Sequence, residues 1–437
     1  MEILLYVVGI VFMLIGLGVS IGLHEIGHLV PAKLFGVRVG QYMIGFGPRI
    51  WSRRFGETEY GFKALPVGGF ISMSGMYPAS DGTPVRGLFA SLVQDARAAN
   101  DETIADGAEE RVFFRLPVWK RIIVMLGGPL MNLLLAVVIF TVLASGIGLQ
   151  QGTTTIAGVT ECVLPAGTTQ TECEPGDPSS PAAKAGVLPG DVLVSIDGSA
   201  VSDFAQATAI IQAAPDETLD MVVSRDGEDV RLSITPIAAE RELTDAGGQP
   251  LLDADGERVV AEVGYVGMSA QMGLIRQPIG TGAEMAGENV VRVAELIVQL
   301  PVKLWNVGSS LVTGADRDPD GPLSVVGVGR LAGEVAATDA PVLNRFVVLL
   351  SLLGSLNIAL FVFNLIPLLP LDGGHILVAL WDGVRRMWAK MLGRPAPAPV
   401  DATRLVPLTI VVAVLLIGMG ALLMIADVVN PVDLLGG

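Results

Sequence analysis

Four stretches of the chain are apolar almost without relief, at about residues 3–30, 122–147, 345–369 and 405–426. At about 1.5 Å per residue, each is long enough to cross a hydrocarbon core of about 30 Å as a helix. Between them the pattern changes. Residues 37–74, VRVGQYMIGFGPRIWSRRFGETEYGFKALPVGGFISMS, alternate and are rich in Gly, Tyr, Phe and Ile. Gly56-Glu57 and Pro66-Val67-Gly68-Gly69 read as turns, so 37–76 is expected to be a small membrane-associated sheet of β-hairpins. Residues 77–121 begin polar and Ala-rich, as a mobile loop would, and end in FFRLPVWKR, an interfacial anchor for the second span (122–147). Residues 152–238 carry short strands and a helix. Residues 239–277 are polar with turn signals, and 280–312 have the spacing of an amphipathic helix lying on a membrane surface, so 239–343 is read as an extension of the middle segment.

Charge orients these pieces. Of the 44 Asp and Glu, 28 fall in residues 148–343, against 10 Lys and Arg. The shorter segment 33–121 carries 12 Lys and Arg, and 368–404 carries five more. Positive charge marks the cytoplasmic side, which puts these two segments inside and the middle segment outside, with both termini extracytoplasmic. The first span has no basic region before it, a long core and no small-residue cleavage site after it, so it is expected to be retained rather than removed as a signal peptide. The first and third spans (1–36 and 344–376) then both run outside to inside. A hydrophobic share of 51% suits a multi-pass membrane protein in a lipid bilayer, and a net charge of −16 argues against nucleic acid as a partner. Cys162 and Cys173 lie in ECVLPAGTTQTEC, in the outward segment. In an oxidising compartment they are expected to form one disulfide, two free thiols being the other reading.

The chemistry sits at the inner ends of the first and third spans. Ile3–Leu23 contains no charge, and His24, Glu25 and His28 then follow as HEIGH. Histidines at i and i+4 share a helix face and can reach one ion, with Glu25 beside them as a base. Ionisable groups at membrane depth cost roughly 2.5–3.5 kcal/mol each on insertion scales, which makes them functional candidates. The third span ends in NLIPLLPLDGGH, residues 364–375. Asp372 is the single acid between Asp339 and Asp382. A catalytic zinc takes three protein ligands and keeps one position open, so Asp372 is the natural third ligand. Asn364 is placed to donate a hydrogen bond to a substrate carbonyl or oxyanion. Pro367 and Pro370 break the helix, which is tolerated at membrane depth where the freed backbone lines a cavity, and Pro367 joins Asn364 as a candidate substrate contact. His375 is left open between a fourth ligand and a supporting hydrogen bond. Asn132 and Gly127-Gly128-Pro129 are expected to pack against the first span.

Two resemblances follow. SSPAAKAGVLPGDVLVSIDGSAV, residues 179–201, resembles the PDZ domains of bacterial proteases, which gives one extracytoplasmic PDZ domain over 152–238. HEIGH, GGPLMN (127–132), that domain and N-x-x-P-x-x-x-x-D-G-G, in this order, resemble the site-2 protease family, nearest its bacterial regulator-of-sigma-E protease branch. The resemblance implies zinc held by His24, His28 and Asp372, Glu25 as base, and substrate handling by Asn364 and the hairpin segment near 60–72. It also implies cleavage of single-span membrane proteins, among them anti-sigma factors already trimmed outside. The fold class expected is therefore a polytopic α-helical membrane protein with four transmembrane helices, a membrane-associated β-hairpin segment and an extracytoplasmic α+β PDZ domain. Two other classes share some of these features: a catalytically dead membrane adaptor, and a metal transporter. An intact Glu25 argues against the first, and the scarcity of polar residues in the second and fourth spans argues against the second.

Overall fold

Helix α1 (Glu2–Leu34) opens the chain and carries HEIGH in its last third. The computed structural model describes residues 2–78, 89–104, 109–163, 173–174, 177–243, 259–319 and 321–432. Parts of the segments 77–121 and 239–343 lie outside the described residues. Four helices are long and apolar enough to cross a membrane: Glu2–Leu34, Val118–Ile147, Val342–Asn364 and Ala402–Val429. Large apolar side chains stay exposed along them, among them Ile3, Ile15, Leu134, Leu415 and Ile417, as lipid-facing positions should. The chain divides into two units, residues 1–143 with 279–437, and residues 144–278.

In the first unit, α1 is followed by β1 (Val39–Phe55) and β2 (Thr58–Met73), joined at Gly56-Glu57. Their pairing is more than a simple hairpin. Residues 59–62 pair with 51–54 on one side and with 41–44 on the other, and 41–44 pair in turn with 69–72. Two long, bent strands thus make a sheet of four limbs, with 69–73 as one edge. The Tyr42 hydroxyl donates to the Gly22 carbonyl at 2.8 Å, fixing the sheet to α1.

The loop expected to be mobile contains α2 (Ala90–Glu102), which is firmly tied. Arg97 Nη2 lies 2.6 Å from Asp401 Oδ2, just before the last span. The Asn100 side chain accepts from Tyr77 N and donates to Tyr77 O, and Thr103 Oγ1 accepts from Gly75 N. The partners come from residues some 20 to 300 positions away, a separation that local composition does not reveal.

Helix α3 (Val118–Thr141) follows, then a π-helical stretch at Val142–Ile147. The unit resumes after the second unit with α6 (Thr281–Thr313), α7 (Val325–Ala337), α8 (Val342–Asn364), α9 (Asp372–Met391) and α10 (Val406–Val429). Small residues set the crossings, as they do between helices in lipid. A Cβ at Gly9 would stand 2.2 Å from the Ala332 carbonyl, and one at Gly282 2.3 Å from Thr141 Oγ1. The third apolar stretch ends as a helix at Asn364, and α9 starts afresh at Asp372, with a cis Leu369–Pro370 bond in the turn between them. Two buried ion pairs clasp the helices, Arg121–Asp382 between α3 and α9 and Arg317–Asp427 onto α10, and the half-buried Arg97–Asp401 contact adds a third.

The second unit is built on an antiparallel sheet. Its elements are β3 (Leu149–Val159), α4 (Pro181–Ala185), β4 (Val192–Ile196), β5 (Ser199–Ala200), α5 (Phe204–Gln212), β6 (Leu219–Arg225), β7 (Glu228–Ile234), β8 (Ile237–Glu242), β9 (Val260–Tyr265) and β10 (Met268–Ile275). The order is β10-β3-β4-β6-β7, with β5 on β4 and a separate β8-β9 pair. Asp197-Gly198 and Asp226-Gly227 hold positive φ, the conformation two-residue hairpin turns need. Ile156, Leu193, Ile196, Ala207, Ile211, Met221 and Ile234 form the core. Ser180 and Asp203 cap α4 and α5. Cys162 and Cys173 are disulfide-bonded. The polar 239–277 segment supplies β10, so this sheet extends past the 152–238 stretch expected to hold the fold.

Candidate active site

The site forms where the last turns of α1 meet α3 and the first turn of α9. His24 and His28 stack one turn apart, their rings edge to face at 4.8 Å between centroids. Their Nε2 atoms lie 3.2 Å apart, and Asp372 Oδ2 stands 3.3 Å from one and 3.4 Å from the other. His28 and Glu25 are buried at 4% and 8% exposure, so solvent does little to satisfy them.

Glycines make this approach possible. A Cβ at Gly27 would fall 2.2 Å from the Gly127 carbonyl, and one at Gly127 2.0 Å from that of Gly27. The backbones of α1 and α3 therefore touch at HEIGH, as helices joined through small residues do. The face of α3 that meets the histidines is Val124, Gly128 and Asn132, spaced i, i+4, i+8. His28 Nδ1 lies 2.7 Å from the Val124 carbonyl, to which it donates. Gly128 backs onto both rings, and Asn132 Nδ2 lies 3.2 Å from His24 Nδ1. Pro129 has no N–H for the Met125 carbonyl, so the ladder of α3 is interrupted beside these contacts.

Asp372 opens α9, and the two glycines after it explain why. A Cβ at Gly373 would strike the Leu365 and Ile366 carbonyls at 2.4 Å, and one at Gly374 the backbone of Leu368 and Leu369. The Asp-Gly-Gly run thus lets the start of α9 fold directly against the broken end of α8. On another side, Gly69 of β2 faces Ile21 and Glu25, and a Cβ there would lie 3.0 Å from Glu25 Cγ.

This geometry suits a metal ion. Ligand atoms about 2.0–2.2 Å from a tetrahedral ion stand roughly 3.3–3.6 Å from one another. Two nitrogens and a carboxylate oxygen meet at close to that spacing, and they are the one set of three metal-ligating groups found among the described residues. Asp372 Oδ2 is buried with no hydrogen-bond partner among the described residues. A shared cation accounts for both facts.

The remaining sequence candidates sit as follows. Asn364 is the last residue of α8, and its Nδ2 donates to the Leu360 carbonyl at 2.9 Å. Pro367 lies in the turn between α8 and α9. His375 is one turn beyond Asp372, stacked on Tyr77 at 6.1 Å between centroids. Sequence reasoning left Gly128 and Asn132 as packing and did not single out Val124; all three of these α3 residues meet the imidazoles. Their four-residue spacing, the same as that of the two histidines, shows which residues share a face but not what that face meets.

The model of Peptidase family M50 matches residues 12–394. Zinc metalloprotease Rip1 of Mycobacterium tuberculosis is 33% identical over 439 residues, 99% of this chain and 100% of the relative. Putative zinc metalloprotease mll0638 of Mesorhizobium japonicum is 29% identical over 371 residues, 83% of this chain and 85% of the relative. Metalloprotease MmpA of Caulobacter vibrioides is 26% identical over 396 residues, with 87% and 88% covered. Apolar helices meeting around two imidazoles and a carboxylate define a class, the multi-pass membrane metallopeptidases. Within that class the chain belongs to peptidase family M50, the site-2 proteases.

Proposed function

We propose that this chain is an intramembrane zinc endopeptidase in which His24, His28 and Asp372 hold the ion and Glu25 carries the proton. The observation that carries this reading is the meeting of three ligand atoms, 3.2–3.4 Å apart, from elements some 350 residues distant in the chain. When bound, zinc supplies the Lewis acidity that activates water near neutral pH. Glu25, buried beside the histidines and not among the ligands, takes the proton of the attacking water and returns it to the leaving amine. The Val124 carbonyl holds His28 with Nε2 turned inward. Asn364 and Pro367, at the break between α8 and α9, contact the substrate backbone.

The substrates are single-span membrane proteins, and an anti-sigma factor in regulated intramembrane proteolysis is the class the family resemblance favours. A helical span hides its peptide bonds in its own hydrogen bonds, so it must be drawn out before it is cut. The 69–73 limb is an edge of the hairpin sheet and touches Glu25 at Gly69, so a substrate added as a strand there would be extended beside the base. The 152–238 stretch, within the 144–278 unit, is read as a PDZ domain. Its sheet, its two capped helices and the Ala185-Gly186-Val187-Leu188-Pro189-Gly190-Asp191 turn before β4 support that reading. The basic segments support a zinc site near the cytoplasmic face, with the PDZ domain and both termini extracytoplasmic.

Glu25→Gln in the full-length protein, reconstituted with a single-span substrate, tests the mechanism. Cleavage should vanish while zinc content stays at the wild-type level. A Glu25→Gln protein that still cuts would rule out Glu25 as the base.

A further inference from the structure

We infer that Asn132 is a positioning residue for His24, its side-chain oxygen accepting a hydrogen bond from His24 Nδ1 and so presenting Nε2 to the metal. This inference rests on the zinc reading above. The two histidines are served unequally. His28 Nδ1 has a carbonyl to donate to, that of Val124 at 2.7 Å. The group facing His24 Nδ1 is the Asn132 amide, at 3.2 Å. Asn132 is fully buried, and its Oδ1 has no hydrogen-bond partner among the described residues.

A neutral imidazole that offers Nε2 to a cation carries its proton on Nδ1. A donor there cannot face the amide NH2 and needs an acceptor. A half-turn of the Asn132 amide exchanges its oxygen and nitrogen, so that the orphaned oxygen receives that proton. Both imidazoles would then be held from behind by α3, one by a main-chain carbonyl and the other by a side-chain carbonyl two turns further on. Gly128, between the two, leaves room for both rings. A carbonyl behind a ligating imidazole fixes its tautomer and plane and raises its basicity.

The test is zinc affinity, not turnover. Full-length protein in detergent is stripped with a chelator and titrated with Zn2+ against a chromophoric competitor. Asn132→Ala and Asn132→Leu should bind zinc roughly 10–100-fold more weakly than wild type. Asn132→Asp, which offers only acceptors, should bind at least as tightly as wild type. The visible spectrum of the Co2+ form should be kept in the Asp variant and altered in the Ala variant, and thermal unfolding of the stripped proteins shows whether each variant is folded. Wild-type affinity in Asn132→Ala would overturn the inference. So would an Asp variant as weak as Ala, because Asn132 would then act as a donor or as packing. If Ala and Leu do not fold, the Asp variant still decides. Wild-type protein that takes up no zinc would overturn the metal reading itself, an outcome distinct from either.

Discussion

Gly128 backs onto His28 so closely that a Cβ on it would stand 2.2 Å from Nε2 and 2.6 Å from Cε1. The same atom would lie 2.8 Å from His24 Cε1, so neither ring could keep its place. Gly128→Ala should therefore push the His28 ring off the Val124 carbonyl and spread the three ligand atoms. Overpacking of this kind costs about 1–3 kcal/mol of stability, and a displaced ligand costs more in metal affinity. The expected result is a folded protein with zinc binding at least roughly 100-fold weaker and no cleavage. Zinc per protein after exhaustive dialysis measures it. Full occupancy in Gly128→Ala would mean that α3 does not shape the site.

In the second unit, the Asp191–Arg225 pair couples stability to pH. Arg225 Nε and Nη2 each donate to an Asp191 oxygen at 2.8 Å, and Nη2 also reaches the Gly186 carbonyl. Asp191 also accepts from Leu188 N, at 2.8 Å. The Arg225 hydrogen bonds come first among the causes that hold the Asp191 carboxyl below its ordinary value, against the opposing effect of burial. A folded-state value below the unfolded one means that the stabilisation is fully present above the unfolded value, about pH 4, and is lost as pH falls through the folded value. Asp191→Asn should cost about 1–3 kcal/mol at pH 7, because charge-assisted bonds become neutral ones. The cost should shrink below about pH 4, where the wild type loses the same interaction. Hydrogen exchange of β4 and β6 in the full chain, followed against pH, reads both. An Asp191→Asn difference that does not change with pH would refute the coupling.

How far the sequence could be read follows from the range of each interaction. The spans were legible because each is a local property of some twenty residues, and HEIGH because both imidazoles share one helix face. Asp372 stood out as an isolated acid after the third apolar stretch, and the structure brings its Oδ2 to 3.3 and 3.4 Å from the two imidazoles. The role of α3 was not. Asn132 and Gly128 look like ordinary helix-packing residues until the α1–α3 crossing is known, and that crossing depends on Gly27 meeting Gly127. The 90–102 helix was hidden for the same reason, since Arg97 and Asn100 take their partners from Asp401 and Tyr77. The four-limbed pairing of 39–73 is a third case, because alternation predicts strands but does not say that residues 59–62 serve two neighbours.

Gly69 separates two ways of damaging the site. A Cβ there would stand 2.9 Å from Ile21 Cγ2, 3.0 Å from Glu25 Cγ and 3.2 Å from Glu25 Oε1. None of these atoms is among the grouped metal ligands, so the metal should be kept. What moves is the Glu25 carboxylate, together with the edge of the sheet beside it. Displacing a reacting group by a fraction of an ångström to an ångström costs roughly 10–100-fold in rate. Gly69→Ala should lower turnover of a reconstituted single-span substrate by about that factor, and the bulkier Gly69→Val should abolish it. Both should retain wild-type zinc content, unlike Gly128→Ala. On the proposed mechanism, in which Glu25 serves the water and not substrate docking, the Ala variant should lose kcat more than it raises KM. A rise in KM alone would mean that Gly69 serves the substrate strand and leaves the base untouched. Loss of zinc would show that the sheet edge supports the ligands as well.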